Sequence, residues 1–110
     1  MKIRLVKVKT IRLYAIANAR SRSSLSLWLE KLENADWNEP KDILELFANA
    51  DLLGNGSNRV VFDIGGNNYR MICKYWFAAT RVHLYIKWLG THAEYTKLCA
   101  ENLQYSIEDY

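Results

Sequence analysis

Between Arg59 and Trp88 the chain alternates apolar and polar residues, the pattern of strands that bury one face. Val60, Phe62 and Ile64 face one way, with Arg59, Val61 and Asp63 opposite. Gly65-Gly66-Asn67 then supplies residues that tolerate positive φ, as a tight hairpin requires. A second run sets Tyr69, Met71, Cys73, Tyr75 and Phe77 against Arg70, Ile72, Lys74 and Trp76. A third sets Val82, Leu84, Ile86 and Trp88 against Arg81, His83, Tyr85 and Lys87. This predicts a three-stranded meander with one apolar face and one that collects basic side chains.

Upstream the apolar period changes to the helical one. Ile3-Arg4-Leu5-Val6 alternates weakly and predicts a short strand. Thr10 is a candidate cap for a helix over roughly 11–20, striped by Ile11, Tyr14 and Ala15. The hydroxyl-rich Ser21-Arg22-Ser23-Ser24 offers caps for a second helix, in which Leu25, Trp28, Leu29, Leu32 and Ala35 keep the period. Pro40 suits the first turn of a short helix with Ile43, Leu44 and Phe47 inward. Residues 51–58, DLLGNGSN, read as a loop. No repeat, low-complexity tract or linker divides the chain, so one domain over 1–110 is expected. The predicted class is α+β, with N-terminal helices packed on one face of a small twisted antiparallel sheet. The basic face is then expected to stay open.

Charge sharpens that expectation. Net charge is only +3, yet residues 1–29 carry seven basic and no acidic side chains. Residues 30–51 carry two basic and seven acidic, residues 52–97 six basic and two acidic, and residues 98–110 only acids, three of them. A basic working surface with an acidic one turned elsewhere fits this division. Solvated helix faces of opposite sign would also produce it. Cys73 and Cys99 have no metal-ligand spacing and read as small hydrophobes packed in a reduced, cytoplasmic protein. The N-terminus breaks its apolar residues with charges and no stretch is long enough to cross a bilayer, so no membrane partner is expected.

The third strand runs into Gly90-Thr91-His92-Ala93-Glu94-Tyr95, which has capping-box spacing with Thr91 at the N-cap and Glu94 three residues later. Unsatisfied N–H groups and partial positive charge at a helix start attract phosphate. His92 falls on the first helical position and Tyr95 one turn on. A histidine there is commonly structural, but Arg70, Lys74, Arg81 and Lys87 on the neighbouring face suggest chemistry on a polyanion. RNA carries its own nucleophile in the 2′-OH. A protein that cleaves it must activate that group, stabilise an anionic transition state and protonate the leaving oxygen. Arginine suits the second task and histidine or a phenol the others. No metal motif occurs, so a metal-independent route with no cofactor is expected.

Gly65–Arg70 (GGNNYR), the aromatic strand after it, Tyr85–Trp88 (YIKW) and Gly90–Tyr95 (GTHAEY) resemble the HigB-type toxins of bacterial toxin–antitoxin pairs, members of the RelE-like superfamily. The resemblance covers about residues 25–97 and is strongest over 59–95. It implies a RelE-like toxin fold and a ribosome-dependent mRNA endonuclease acting on translated messages. Its implied partners are mRNA, the ribosome with its rRNA, and a cognate helix-turn-helix antitoxin through which alone it would reach operator DNA. Carried over residue by residue, Arg70 would bind the scissile phosphate, His92 and Tyr95 would handle protons, and Lys87 would add a phosphate contact. Arg59, Lys74 and Arg81 are RNA-binding candidates from strand parity alone. The competing reading is a non-catalytic module that holds RNA or an antitoxin on the same fold; a structural partner protein is a third. The basic segment 1–22 has no family motif. It reads either as an rRNA contact or as a helix face.

Overall fold

Hydrogen bonding joins the alternating segments into a five-stranded sheet in the computed structural model, which describes residues 1–110. In chain order the elements are β1 (Lys2–Val6), α1 (Val8–Ala17), α2 (Arg22–Glu33), α3 (Lys41–Leu46), β2 (Asp51–Leu53), β3 (Arg59–Ile64), β4 (Tyr69–Phe77), β5 (Arg81–Thr91) and α4 (His92–Ala100). The sheet order is β1-β5-β4-β3-β2. The meander β3-β4-β5 forms as predicted. It gains two edge strands, and because β1 runs parallel to β5 the sheet is mixed rather than antiparallel. β2 falls in the segment expected to be loop; Leu52 and Leu53 pair with Val60 and Arg59 across a turn through Asn55 and Gly56.

One face carries the main core. Val60, Phe62, Ile64, Met71, Cys73, Val82, Leu84 and Ile86 meet Ile11, Leu25, Trp28 and Leu32 from α1 and α2. The Trp28, Phe47 and Phe62 rings interlock, with centroids 5.0 to 5.9 Å apart. Phe62 meets both other rings edge-to-face while Trp28 and Phe47 stack, and such contacts add to the burial of apolar area. α1 starts three residues earlier than Thr10 suggests. Lys7 turns the chain at φ 69° and no side chain caps the helix. Ser21 stands at the N-cap of α2, but its hydroxyl donates backwards to the Asn18 carbonyl oxygen at 2.7 Å. Pro40 is the N-cap of α3 rather than a residue of its first turn. At the β3–β4 hairpin Gly65 has φ +64°, and a Cβ there would lie 2.9 Å from Ser24 Oγ. Glycine is required there both by the backbone angle and by the approach of α2.

The other face departs from the parity reading. Opposite Ile72 lies Trp88 and opposite Cys73 lies Ile86, so Lys87 is an extra residue in β5. Such a β-bulge reverses the alternation beyond it. Trp88 therefore leaves the main core row, where the sequence pattern puts it, and joins Val61, Ile72 and Leu98 in a second apolar cluster on the outer face. Tyr95 of α4 and Ile107 of the following segment pack on that cluster. The basic face is thus covered over one half instead of open. No helix is long and apolar enough to cross a membrane.

Candidate functional site

The β3–β4 hairpin closes between Ile64 and Tyr69, which sets Asp63 opposite Arg70. Arg70 Nε lies 3.1 Å from Asp63 Oδ1. Its other nitrogens donate to Asn67 Oδ1 at 2.6 Å and to the Tyr69 carbonyl oxygen at 3.0 Å. The side chain is only 9% exposed, so the guanidinium is oriented before any substrate arrives.

Across β4–β5, Arg70 pairs with Gly90 and Tyr69 with Thr91. A Cβ on Gly90 would fall 2.6 Å from the Trp88 ring, so glycine is what lets that indole lie along its own strand. The predicted capping box is present: Glu94 N–H donates to Thr91 Oγ1 at 3.1 Å and Thr91 N–H to Glu94 Oε1 at 2.8 Å. His92 N–H donates to the Asn68 carbonyl oxygen at 2.9 Å, which ties the start of α4 to the hairpin that bears Arg70. The His92 side chain is exposed, whereas Tyr95 is half-buried beside Trp88 with ring centroids 6.0 Å apart. Burial pushes the Tyr95 phenol up from its ordinary value, and the nearby Cys99 thiol and Asp51 add to this; Arg70 pulls the other way. A phenol so placed carries its proton at neutral pH, and the upward shift makes it a weaker acid than an ordinary tyrosine.

Arg70, His92 and Tyr95 are therefore gathered at one end of the sheet, where the hairpin meets α4. The remaining basic residues divide into two groups. The Arg59 guanidinium is 3% exposed and donates to the Gln104 and Ile107 carbonyl oxygens and to Glu108. That corrects the expectation of an RNA contact at Arg59, because its donors are spent on holding the C-terminal segment. Lys87, the extra residue at the bulge, bonds Glu108 Oε2 at 2.6 Å. Lys87 and then Arg59 and Lys74 hold the Glu108 carboxyl below its ordinary range. Lys74 and Arg81 stay exposed and form no ion pair.

Sequence reasoning missed Asp63, Asn67 and Glu108 as partners of the basic groups. The hairpin did carry a signal for Asp63, since pairing Ile64 with Tyr69 across four turn residues puts it beside Arg70. Nothing local marks Glu108, which is 49 residues from Arg59.

Two comparisons bear on this arrangement. Residues 21–98 match the family described as HigB_toxin, RelE-like toxic component of a toxin-antitoxin system. A curated relative, the mRNA interferase HigB of Escherichia coli O6:H1, is 33% identical over 67 residues. That stretch is 61% of this chain and 63% of the relative, so the chain spans a little under two thirds of the relative's length. β1 and α1 lie outside the family match, which begins one residue before α2.

Proposed function

This chain belongs to the HigB family of RelE-like toxic components of toxin–antitoxin systems, and from that premise we propose that it is an endoribonuclease that cuts mRNA. The observation that carries the reading is the preorganised Arg70, held by Asp63 and Asn67 at the junction where His92 and Tyr95 begin α4. The E. coli relative is named an mRNA interferase, which agrees with this chemistry.

In the proposed reaction the exposed His92 imidazole takes the proton of a ribose 2′-OH. The 2′ oxygen bonds to the adjacent phosphorus, and the bond from phosphorus to the 5′ oxygen breaks. The Tyr95 phenol gives its proton to that leaving oxygen, which leaves a 2′,3′-cyclic phosphate and a 5′-hydroxyl. Arg70 stabilises the negative charge that gathers on the phosphate oxygens in between. No step calls on a metal ion. The substrate is a message under translation in the ribosome, and the inhibitor is a cognate helix-turn-helix antitoxin. Lys87 joins the phosphate contact once Glu108 releases it.

The test is cleavage of a defined message on translating ribosomes by the wild-type chain and by Arg70→Ala, His92→Ala and Tyr95→Phe. Cyclic-phosphate ends from the wild type, reduced in every variant and insensitive to chelators, are the expected result. Unchanged cleavage in both His92→Ala and Tyr95→Phe would remove the proton-transfer assignment. The deep internal engagement of Arg70 favours a second reading, a module that holds RNA without cutting it. Salt-sensitive binding with intact message on programmed ribosomes is its signature.

A further inference from the structure

The outer face of β4 and β5 continues past Lys87, beyond the apolar cluster that Tyr95 and Ile107 cover. Here Trp76 is 60% exposed, in contrast to the three other tryptophans, which are at most 7% exposed. A groove of about 380 Å³ lies between Trp76 and Tyr85 and is flanked by Lys74 and Lys87. His83 stacks on Tyr85, with ring centroids 6.2 Å apart and planes 26° from parallel. At the edge, β1 extends the charge. Its register puts Lys2 beside Arg81 and Arg4 beside His83 on the same face, and all three cations are exposed.

We propose that this face is a stacking platform for unpaired bases of single-stranded RNA, Trp76 and Tyr85 receiving the bases while Lys74, Arg81 and Arg4 meet the phosphates. An exposed indole beside a half-buried phenol ring, both in a cationic frame, matches a ligand that alternates π surfaces with negative charges. No acidic side chain lines the groove. The protein already seats an oxygen anion at its rim, where the Glu108 carboxylate bonds Lys87. A folded acidic partner would satisfy the cations but leave the indole without a matching plane. A duplex would keep its bases stacked out of reach.

The platform rests on the reading of this chain as an RNA-cutting toxin, and the strand it holds is the substrate's own. β5 joins the two places directly. Tyr85 and His92 are seven residues apart, about 20 Å along an extended chain. Bases distant from the cut would therefore be held while Arg70 and His92 engage the scissile phosphate. β1, which supplies Arg4, lies outside the matched family segment.

The test is a titration with a single-stranded 2′-O-methyl oligoribonucleotide of twelve nucleotides, which cannot be cut because its nucleophile is blocked. Stacking on Trp76 quenches the emission of the one exposed indole, and Trp76→Ala weakens binding roughly five- to 150-fold. Trp76→Phe retains most of the affinity. Trp76 is exposed, so these variants melt like the wild type. Equal affinity of Trp76→Ala and the wild type overturns the platform, as does equal binding of inorganic polyphosphate or of the corresponding duplex. Loss of affinity for a protein partner with RNA affinity unchanged assigns the face to that partner and overturns it as well. On ribosomes, a message with 5-iodouracil beside a 2′-O-methyl block at the cut is expected to crosslink to Trp76 or Tyr85; a crosslink from rRNA alone overturns the substrate-strand assignment. Parallel cleavage assays separate the two readings. Cleavage by the wild type with no stacking signal removes the platform alone, whereas stacking without cleavage removes the nuclease reading alone.

Discussion

The two faces of the sheet are built from the same strands, yet they solve different problems. The inner face buries Phe62, Met71, Leu84 and their neighbours in one continuous cluster of 17 residues. The outer face has an apolar cluster of four, capped by α4 and residues 103–109, and beyond it a stretch left to aromatics and cations. On the inner face each residue is specified by volume. On the outer face the closed half pairs its charges, Arg59 and Lys87 with Glu108 and Arg70 with Asp63, while the open half leaves Lys74 and Arg81 to solvent. The proposed chemistry lies at the boundary, where a cation can be held in place by protein and still meet a ligand.

The largest break in this contrast is expected from Phe62→Ala, which opens a cavity beneath Trp28 and Phe47. A loss of about 3–5 kcal/mol in denaturant unfolding is expected, enough to unfold a marginal domain and so disable both faces together. Arg70→Ala is expected to lower the cleavage rate about 10²–10³-fold, the scale of removing one oxyanion donor. Its effect on stability should be smaller, because the Asp63 carboxylate is 28% exposed and can be rehydrated. A variant that unfolds as readily as Phe62→Ala would show instead that Arg70 belongs to the structural half.

Arg59→Ala tests the closed half by itself. It leaves the Ile107 carbonyl oxygen without its donor and Glu108 with Lys87 alone, at a cost of about 1–3 kcal/mol. Amide exchange should accelerate at Ile107 and Asp109 while β4 and β5 remain protected. The smallest effect belongs to Glu108→Gln, below about 1 kcal/mol, since that carboxylate is more than half exposed. The same contact sets a pH dependence. The Glu108 pKa is lowered in the folded chain, so its contribution is intact above the ordinary value of 4.5 and fades as pH falls towards the lowered one. Exchange at Asp109 should therefore rise in mild acid in the wild type and not in Glu108→Gln.

Much of this was legible in local pattern. The alternation placed β3, β4 and most of β5, Thr91 and Glu94 announced the start of α4, and the four-residue turn implied the Asp63–Arg70 pair. The bulge at Lys87 was not legible. A run of alternating residues does not record how many residues of one strand oppose the next, so plain alternation puts Trp88 on the wrong face. The closing of the outer face was equally hidden, because Leu98 and Ile107 carry no mark of which apolar patch they will cover. Of the candidate site, Arg70, His92 and Tyr95 were marked by motif; that they converge became visible only through the bond from His92 N–H to the Asn68 carbonyl oxygen.

By itself the sequence determined the α+β class, the three-stranded meander, the capped helix and the supply of basic side chains, because each depends on periods and caps read over a few residues. Only the tertiary structure decided which cations are free. Arg59 and Lys87 look no different from Lys74 and Arg81 along the chain. A carboxylate reaching across 49 residues neutralises the first pair and not the second. Charge is a property of a residue, but its availability is a property of what folds against it.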